Sequence, residues 1–160
     1  MRGFRSRILI TFILVMAVPT AWACSACIRS IMGPSEFDQR SWDSSQNVYV
    51  GMVTKAELSF PAGSMPVVSY TLVVDEVFKG DPATSGPIQS SRSVRPWDSE
   101  LEEWVCGGAE VLVGDRLIVF SNPNESVHMG SCSATRVIEK MNTSMSVESR
   151  DTLDRVRAWR

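Results

Sequence analysis

The chain has 160 residues, 16 of them basic and 18 acidic, with a formal net charge of −2 and 44% hydrophobic residues. This length suffices for one domain with its own core and is too short for two large domains. The mildly acidic charge shows no basic run, so neither a nucleic acid nor an anionic membrane surface is expected as a partner.

Residues 1–23 are predicted to be a secretory signal peptide. Three arginines lie within the first seven residues, an apolar run covers residues 8–18, and Ala21 and Ala23 are the small residues that signal peptidase requires. The run is about half of the roughly 20 residues that span a bilayer, so no membrane span is expected. Cleavage after Ala23 would make Cys24 the first residue of a secreted chain, extracellular or periplasmic, with residues 24–160 as its single domain.

A short helix and a long β-hairpin are predicted at the start of this domain. The sequence SEFD from Ser35 resembles a capping box, which predicts a helix over residues 35–42. Residues 48–58 are rich in β-branched and aromatic side chains, and Gly51 among them indicates a bulge or bend. A second strand is predicted over residues 67–80, where the sequence KGDP ends it.

Three further strands and a closing helix are predicted, which gives five strands, mostly antiparallel. The further strands cover residues 88–94, 114–122 and 126–139. Leu153, Val156 and Trp159 lie at helical spacing near the C-terminus and predict an amphipathic helix. Such an order predicts a β-sandwich or a small barrel such as the OB-fold, and periodicity alone does not choose between them.

The four cysteines of the chain are Cys24, Cys27, Cys106 and Cys132. Export implies an oxidising compartment, in which paired cysteines persist as disulfides. Three full pairings are possible from the sequence alone.

The order of these features resembles the inhibitory N-terminal domain of the tissue inhibitors of metalloproteinases, a family of netrin-like OB-folds. The matching features are a signal peptide that ends before a cysteine, a second cysteine close behind it, and five later segments. Those segments are VYVGMVTKAE, YTLVVDEVFKG, VCGG, VGDRLIVFSN and GSCSATRVIE. The resemblance covers residues 24–139 and implies a mainly β OB-fold (netrin-like), a five-stranded antiparallel Greek-key barrel with short flanking helices.

The resemblance also implies the disulfides Cys24–Cys106 and Cys27–Cys132. On the chain-entropy view each would stabilise the fold by roughly 4–5 kcal/mol as an upper estimate. Together they would hold the mature N-terminus on the barrel surface. A plainer interpretation is that the four cysteines form structural cross-links and have no further role.

The family's function implies a secreted inhibitor of a zinc metalloprotease. A catalytic zinc keeps one ligand position open for water, and a free α-amine with a pKa of about 8 has an available lone pair. The amine and carbonyl of Cys24 would bind the target's zinc together. Ser25 would enter the specificity pocket, and Ala26, Ile28 and the segment VCGG would complete the inhibitory ridge. No cofactor of its own is expected.

One departure from the family leaves a second function open. Ser25 and Ala26 separate the first two cysteines, whereas inhibitory members have one residue there, and Ile28 is not followed by the family's proline. The alternative is a netrin-like module that binds another extracellular protein without a protease target. A C-x-x-C redox site needs a strand before it, and no strand is predicted before Cys24. Lipid attachment to Cys24 needs a box of small residues before the cysteine, which Ala23 suits but Trp22 and Ala21 do not.

The sequence predicts no enzyme site. His128 is the single histidine and is interpreted as a surface residue. Asp75 and Glu76 are adjacent on a predicted strand, so their side chains are expected on opposite faces. Trp97 and Trp104 are interpreted as covering the barrel, although tryptophans also favour binding surfaces.

Overall fold

The computed structural model of the protein describes residues 32–62, 66–91, 111–130 and 133–160. Two helices lie near the ends of the described chain, α1 (Pro34–Ser44) and α2 (Val147–Ala158). Between them are β1 (Asn47–Ser59), β2 (Val67–Lys79), β3 (Ile88–Ser91), β4 (Arg116–Ser121), β5 (Val127–Met129) and β6 (Arg136–Glu139), with a short 3-10 helix at Pro82–Thr84.

The six strands form one mixed sheet in the order β5-β3-β2-β1-β4-β6, and this sheet curls into a half-barrel. All neighbours are antiparallel except β3 and β5, which are parallel. The mainly β prediction is confirmed, but the described residues form six strands where five are predicted. The predicted last strand, residues 126–139, is interrupted, and its two parts lie at opposite edges of the sheet.

The two longest strands, β1 and β2, form a hairpin with an irregular register. Its register shifts at three places, one of them between Val50 and Gly51, which confirms the bulge that Gly51 indicates. A Cβ atom on Gly51 would lie 2.9 Å from the carbonyl oxygen of Val73, so the close approach of β2 requires glycine here. Bulges increase the local twist, which helps the sheet to curl.

Apolar side chains are buried on both faces of the sheet, because residues of β1 and β4 alternate between two clusters. The helix-side cluster consists of Val48, Val50, Phe78, Ile118, Phe120, Ile138, Leu153 and Val156. The second cluster consists of Tyr49, Val53, Ile88, Val111, Leu117, Val119, Val127 and Met129. A sheet buried on both faces explains the nearly continuous apolar runs in β1 and β4.

Helix α2 covers the helix-side cluster as its sequence predicts. Leu153 and Val156 are 4% and 0% exposed, and Trp159 packs against the same cluster. Ser146 caps the helix by accepting a hydrogen bond from the backbone N–H of Ser149 at 3.1 Å. The predicted amphipathic helix and its packing are confirmed.

Helix α1 is present where a helix is predicted, but its start differs from the predicted capping box. The N-cap is Gly33, without a side-chain hydrogen bond, and Pro34 begins the helix. Proline suits this position because its missing N–H would have no partner in the first turn. Ser35 is therefore inside the helix, and the acid three residues later, Asp38, is buried instead of capping.

Candidate functional site

The predicted site residues lie outside the described residues. These are the ridge residues Cys24, Ser25, Ala26 and Ile28, the cysteines Cys27, Cys106 and Cys132, and also Trp97 and Trp104. The ridge and the disulfides therefore stay predictions. The structure describes the elements that adjoin these segments in sequence, namely α1, the turn before β4 and the start of β6.

A buried ion cluster joins α1 to β6 and α2. Asp38 is 1% exposed and accepts hydrogen bonds from Nη2 of Arg136 at 2.8 Å and from Nη2 of Arg155 at 2.7 Å. The hydroxyl of Thr152 donates to the same carboxylate at 3.3 Å. A buried carboxylate needs such charged partners to offset its loss of hydration. The cluster thus fixes α1, the first described element after the predicted ridge, against the sheet.

The C-terminal end of α1 is held by an aromatic contact and a lysine. The ring centroids of Trp42 and Trp159 lie 5.8 Å apart. The Nζ atom of Lys79 donates to the carbonyl oxygen of Trp42 at 2.8 Å and lies 5.2 Å from the centroid of its ring. A cation at the carbonyl end of a helix is favourable, and its position over the indole adds a cation–π attraction.

The turn before β4, which follows the segment that contains Cys106, is held by Asp115. This fully buried carboxylate accepts hydrogen bonds from the backbone of Leu112 at 3.0 Å and Met141 at 2.8 Å, and from Lys140 Nζ at 3.1 Å. Burial alone would raise the pKa of Asp115, but the two backbone bonds and Lys140 outweigh it, and its pKa is lowered. The turn is therefore fixed to the loop after β6.

The outer part of β1 extends past its neighbour β4 as an exposed arm, defined here as residues 54–60. The pairing of β4 with β1 covers only Asn47–Met52, and every residue from Thr54 to Phe60 is exposed. Leu58 is 50% exposed and Phe60 is 70% exposed. Sequence reasoning missed this surface. The sequence feature that could have predicted this exposed arm is the change after Val53, where a continuous apolar run gives way to TKAEL, in which charged and apolar residues alternate.

The remaining polar residues considered in the sequence analysis are either bonded to arginines or exposed to solvent. His128 is exposed on β5, as expected. Asp75 bonds to Arg116 on β4 at 3.0 Å, whereas Glu76 bonds to Arg157 on α2 at 2.8 Å. Among the described residues, no group of three or more His, Cys, Asp or Glu could hold a metal ion. Neither helix in that part of the chain is long and apolar enough to cross a membrane.

In comparisons with known proteins, the chain matches no family model, and no curated protein matches it at a stringent significance threshold.

Proposed function

We propose that the chain is a secreted netrin-like protein that inhibits a zinc metalloprotease through the amine and carbonyl of Cys24. The observation that supports the netrin-like fold on which this proposal rests is the placement of β5 and β6. β5 pairs in parallel with β3, and β6 pairs antiparallel with β4 at the other edge. One interrupted strand that contacts both edges is the arrangement expected of an OB-type barrel, in which the fifth strand lies between the third and the fourth.

The ion cluster supports the proposed position of the ridge. Cys27 precedes Asp38 by 11 residues, and Cys132 precedes Arg136 by four. Asp38 and Arg136 are in contact. Cys27 and Cys132 are therefore each connected to this ion pair by a short stretch of chain. The Cys27–Cys132 disulfide is compatible with these lengths, because each residue spans up to about 3.5 Å. A ridge ordered in advance loses less entropy when it binds.

A one-residue extension at the N-terminus tests the mechanism. An alanine added before Cys24 displaces the amine by about 3.5 Å, beyond the reach of a five-membered chelate. The extended protein should unfold at the same temperature as the native protein, but it should inhibit a sensitive metalloprotease at least about 100-fold less, because the lost metal ligand is worth several kcal/mol. Equal inhibition by the two proteins would show that Cys24 does not bind the zinc.

Two further variants separate zinc binding from specificity. Carbamylation of the Cys24 amine removes its lone pair and should abolish inhibition in the same way as the extension. Ser25→Leu enlarges the residue proposed to enter the specificity pocket, so it should change which proteases are inhibited without ending inhibition. A uniform loss against every protease would contradict the pocket position of Ser25.

Export and processing belong to the same proposal. The secreted protein should have the mass of residues 24–160 less four hydrogens for two disulfides. A diacylglycerol group on Cys24 would contradict it, since the lipid occupies the thiol needed for the disulfide.

The alternative is an extracytoplasmic netrin-like module that binds another protein without a protease target. The exposed apolar side chains of the arm favour it, because exposed clusters of this kind mark protein contacts. Absence of inhibition by the correctly cleaved, disulfide-bonded protein across a panel of zinc metalloproteases would select this function.

A further inference from the structure

We propose that two copies of the chain associate edge to edge through their β1 arms, in an antiparallel register centred on Ala56. The edge of β1 is occupied up to Val53. The backbone N–H of Val53 donates to the carbonyl oxygen of Asp115 at 2.9 Å, and its carbonyl oxygen accepts from the backbone N–H of Gly114 at 2.8 Å. From Thr54 to Ser59, β1 has a strand partner on one side only among the described residues, namely β2. Such an edge is a template for a further strand.

The charges on this edge are complementary to themselves. Lys55 and Glu57 lie on the same face of β1, with 2.7 Å between Nζ and Oε1, and their side chains are 60% and 61% exposed. When Ala56 lies opposite Ala56 of a second copy, Lys55 of each chain lies opposite Glu57 of the other. The four charges then alternate in sign around the two-fold axis. Charged edges usually oppose pairing, but in this register every cross-strand neighbour has the opposite sign, which is favourable.

The same register brings exposed apolar side chains of the two copies together. In this register Leu58 of one copy lies opposite Thr54 of the other. The residues after Leu58 then reach the turn before β4, which is hydrogen-bonded to Val53 of the other copy. That turn exposes Leu112 (48%) and Val113 (50%), while the arm exposes Leu58 (50%) and Phe60 (70%). Burial of these side chains would drive association. The contact is small, so we expect a reversible dimer with a dissociation constant in the micromolar range or weaker.

A charge swap tests the register, with self-association measured by analytical ultracentrifugation of the secreted protein over a concentration series. Lys55→Glu places four acidic side chains around the axis, and Glu57→Lys places four basic ones. Each should raise the dissociation constant by about tenfold or more, since both cross-strand pairs become repulsive. The double variant, Lys55→Glu with Glu57→Lys, restores alternating charges and should return the constant to within about threefold of the native value.

The controls distinguish the interface from general charge effects and from misfolding. Asp151→Lys reverses an exposed charge on α2 and should leave dimerisation unchanged. All variants should keep the native unfolding temperature, because exposed ion pairs contribute little stability.

Phe60→Ser gives a second test, independent of charge, and should also weaken the dimer. A native protein that stays monomeric near 1 mM would overturn the proposal, as would a double variant that fails to restore association. Neither result depends on whether the chain inhibits a protease, so this test and that of the proposed function fail separately.

Discussion

The carboxylate of Asp38 on α1 lies 2.8 Å from Nη2 of Arg136 on β6, although 98 residues separate them in the chain. The second oxygen of Asp38 binds Arg155 on α2 at 2.7 Å. One buried acid therefore connects the first described helix, an edge strand and the last helix.

Asp38→Ala should destabilise the protein by about 3–5 kcal/mol, because removal of one partner leaves two guanidinium groups partly buried without their carboxylate. Asp43→Ala, at an exposed site on the same helix, should change the free energy of unfolding by less than about 0.5 kcal/mol. Urea denaturation of both variants measures the two values. A cost at Asp38 as small as that at Asp43 would mean that the cluster does not hold α1.

Asp115 should make the stability of the protein depend on pH. Its folded-state pKa lies below the ordinary value of 3.8, so the folded state binds the proton less readily than the unfolded state. The resulting stabilisation is complete above about pH 5 and is lost as the pH falls through the ordinary pKa and then the lowered folded pKa. Asp115→Asn lacks this contribution. The difference in unfolding free energy between native protein and variant should be constant above about pH 5 and should shrink as the pH falls below about 4. A difference that stays constant down to about pH 2 would contradict the assignment.

Leu153→Ala should cost about 2–5 kcal/mol, since it opens a cavity beneath α2 in the helix-side cluster. Val147 begins the same helix and is 67% exposed, so Val147→Ala should change stability by less than about 0.5 kcal/mol. Thermal and urea unfolding of the pair compare a buried and an exposed position on one helix. Similar costs at both positions would show that α2 does not pack as described.

Gly80→Ala should destabilise the turn after β2. Gly80 has φ +74°, and a Cβ atom there would collide with the side-chain oxygen of Asn47 and the carbonyl oxygen of Gln46. The backbone conformation alone costs about 1–2 kcal/mol for an L-residue, and the collision adds to it. Gly130→Ala is the matched control, because a Cβ atom on Gly130 meets no atom of the described residues within 4 Å. Equal midpoints of denaturation for both variants would refute the steric argument.

Peptide mapping without reduction should recover the pairs Cys24–Cys106 and Cys27–Cys132. Both pairs connect the mature N-terminus to distant parts of the chain, as the proposed ridge requires. A peptide that carries a Cys24–Cys27 bridge would remove the basis for an ordered ridge and would favour the module without a protease target.

The elements that the sequence predicts correctly are those with a local signal. Leu153, Val156 and Trp159 repeat at helical spacing, and that spacing is independent of the rest of the fold. The interruption in residues 126–139 was missed because both halves have strand-like composition. Only the distant positions of β3 and β4 decide that Val127–Met129 and Arg136–Glu139 pair at opposite edges.

The candidate site divides in the same way. The ridge is implied by the resemblance to the inhibitor family, and the segments that carry this resemblance can be read directly from the sequence. The ion cluster has no such signal, because Asp38, Arg136 and Arg155 meet only after the sheet has formed. The open edge of the arm likewise depends on where β4 begins to pair with β1, at Arg116 opposite Met52.

The pairing of β5 and β6 at opposite edges of the sheet also sets the order in which the sheet can form. β1 and β2 are joined by a short loop and can pair early, since contacts that are local in sequence form first. β3 and β4 gain their outer partners only when β5 and β6 arrive. A chain synthesised only as far as Ser121 would carry two open strand edges, on β3 and β4, and this state would be the most exposed to aggregation and proteolysis. The sheet is therefore complete only when β6, the last strand among the described residues, has paired with β4.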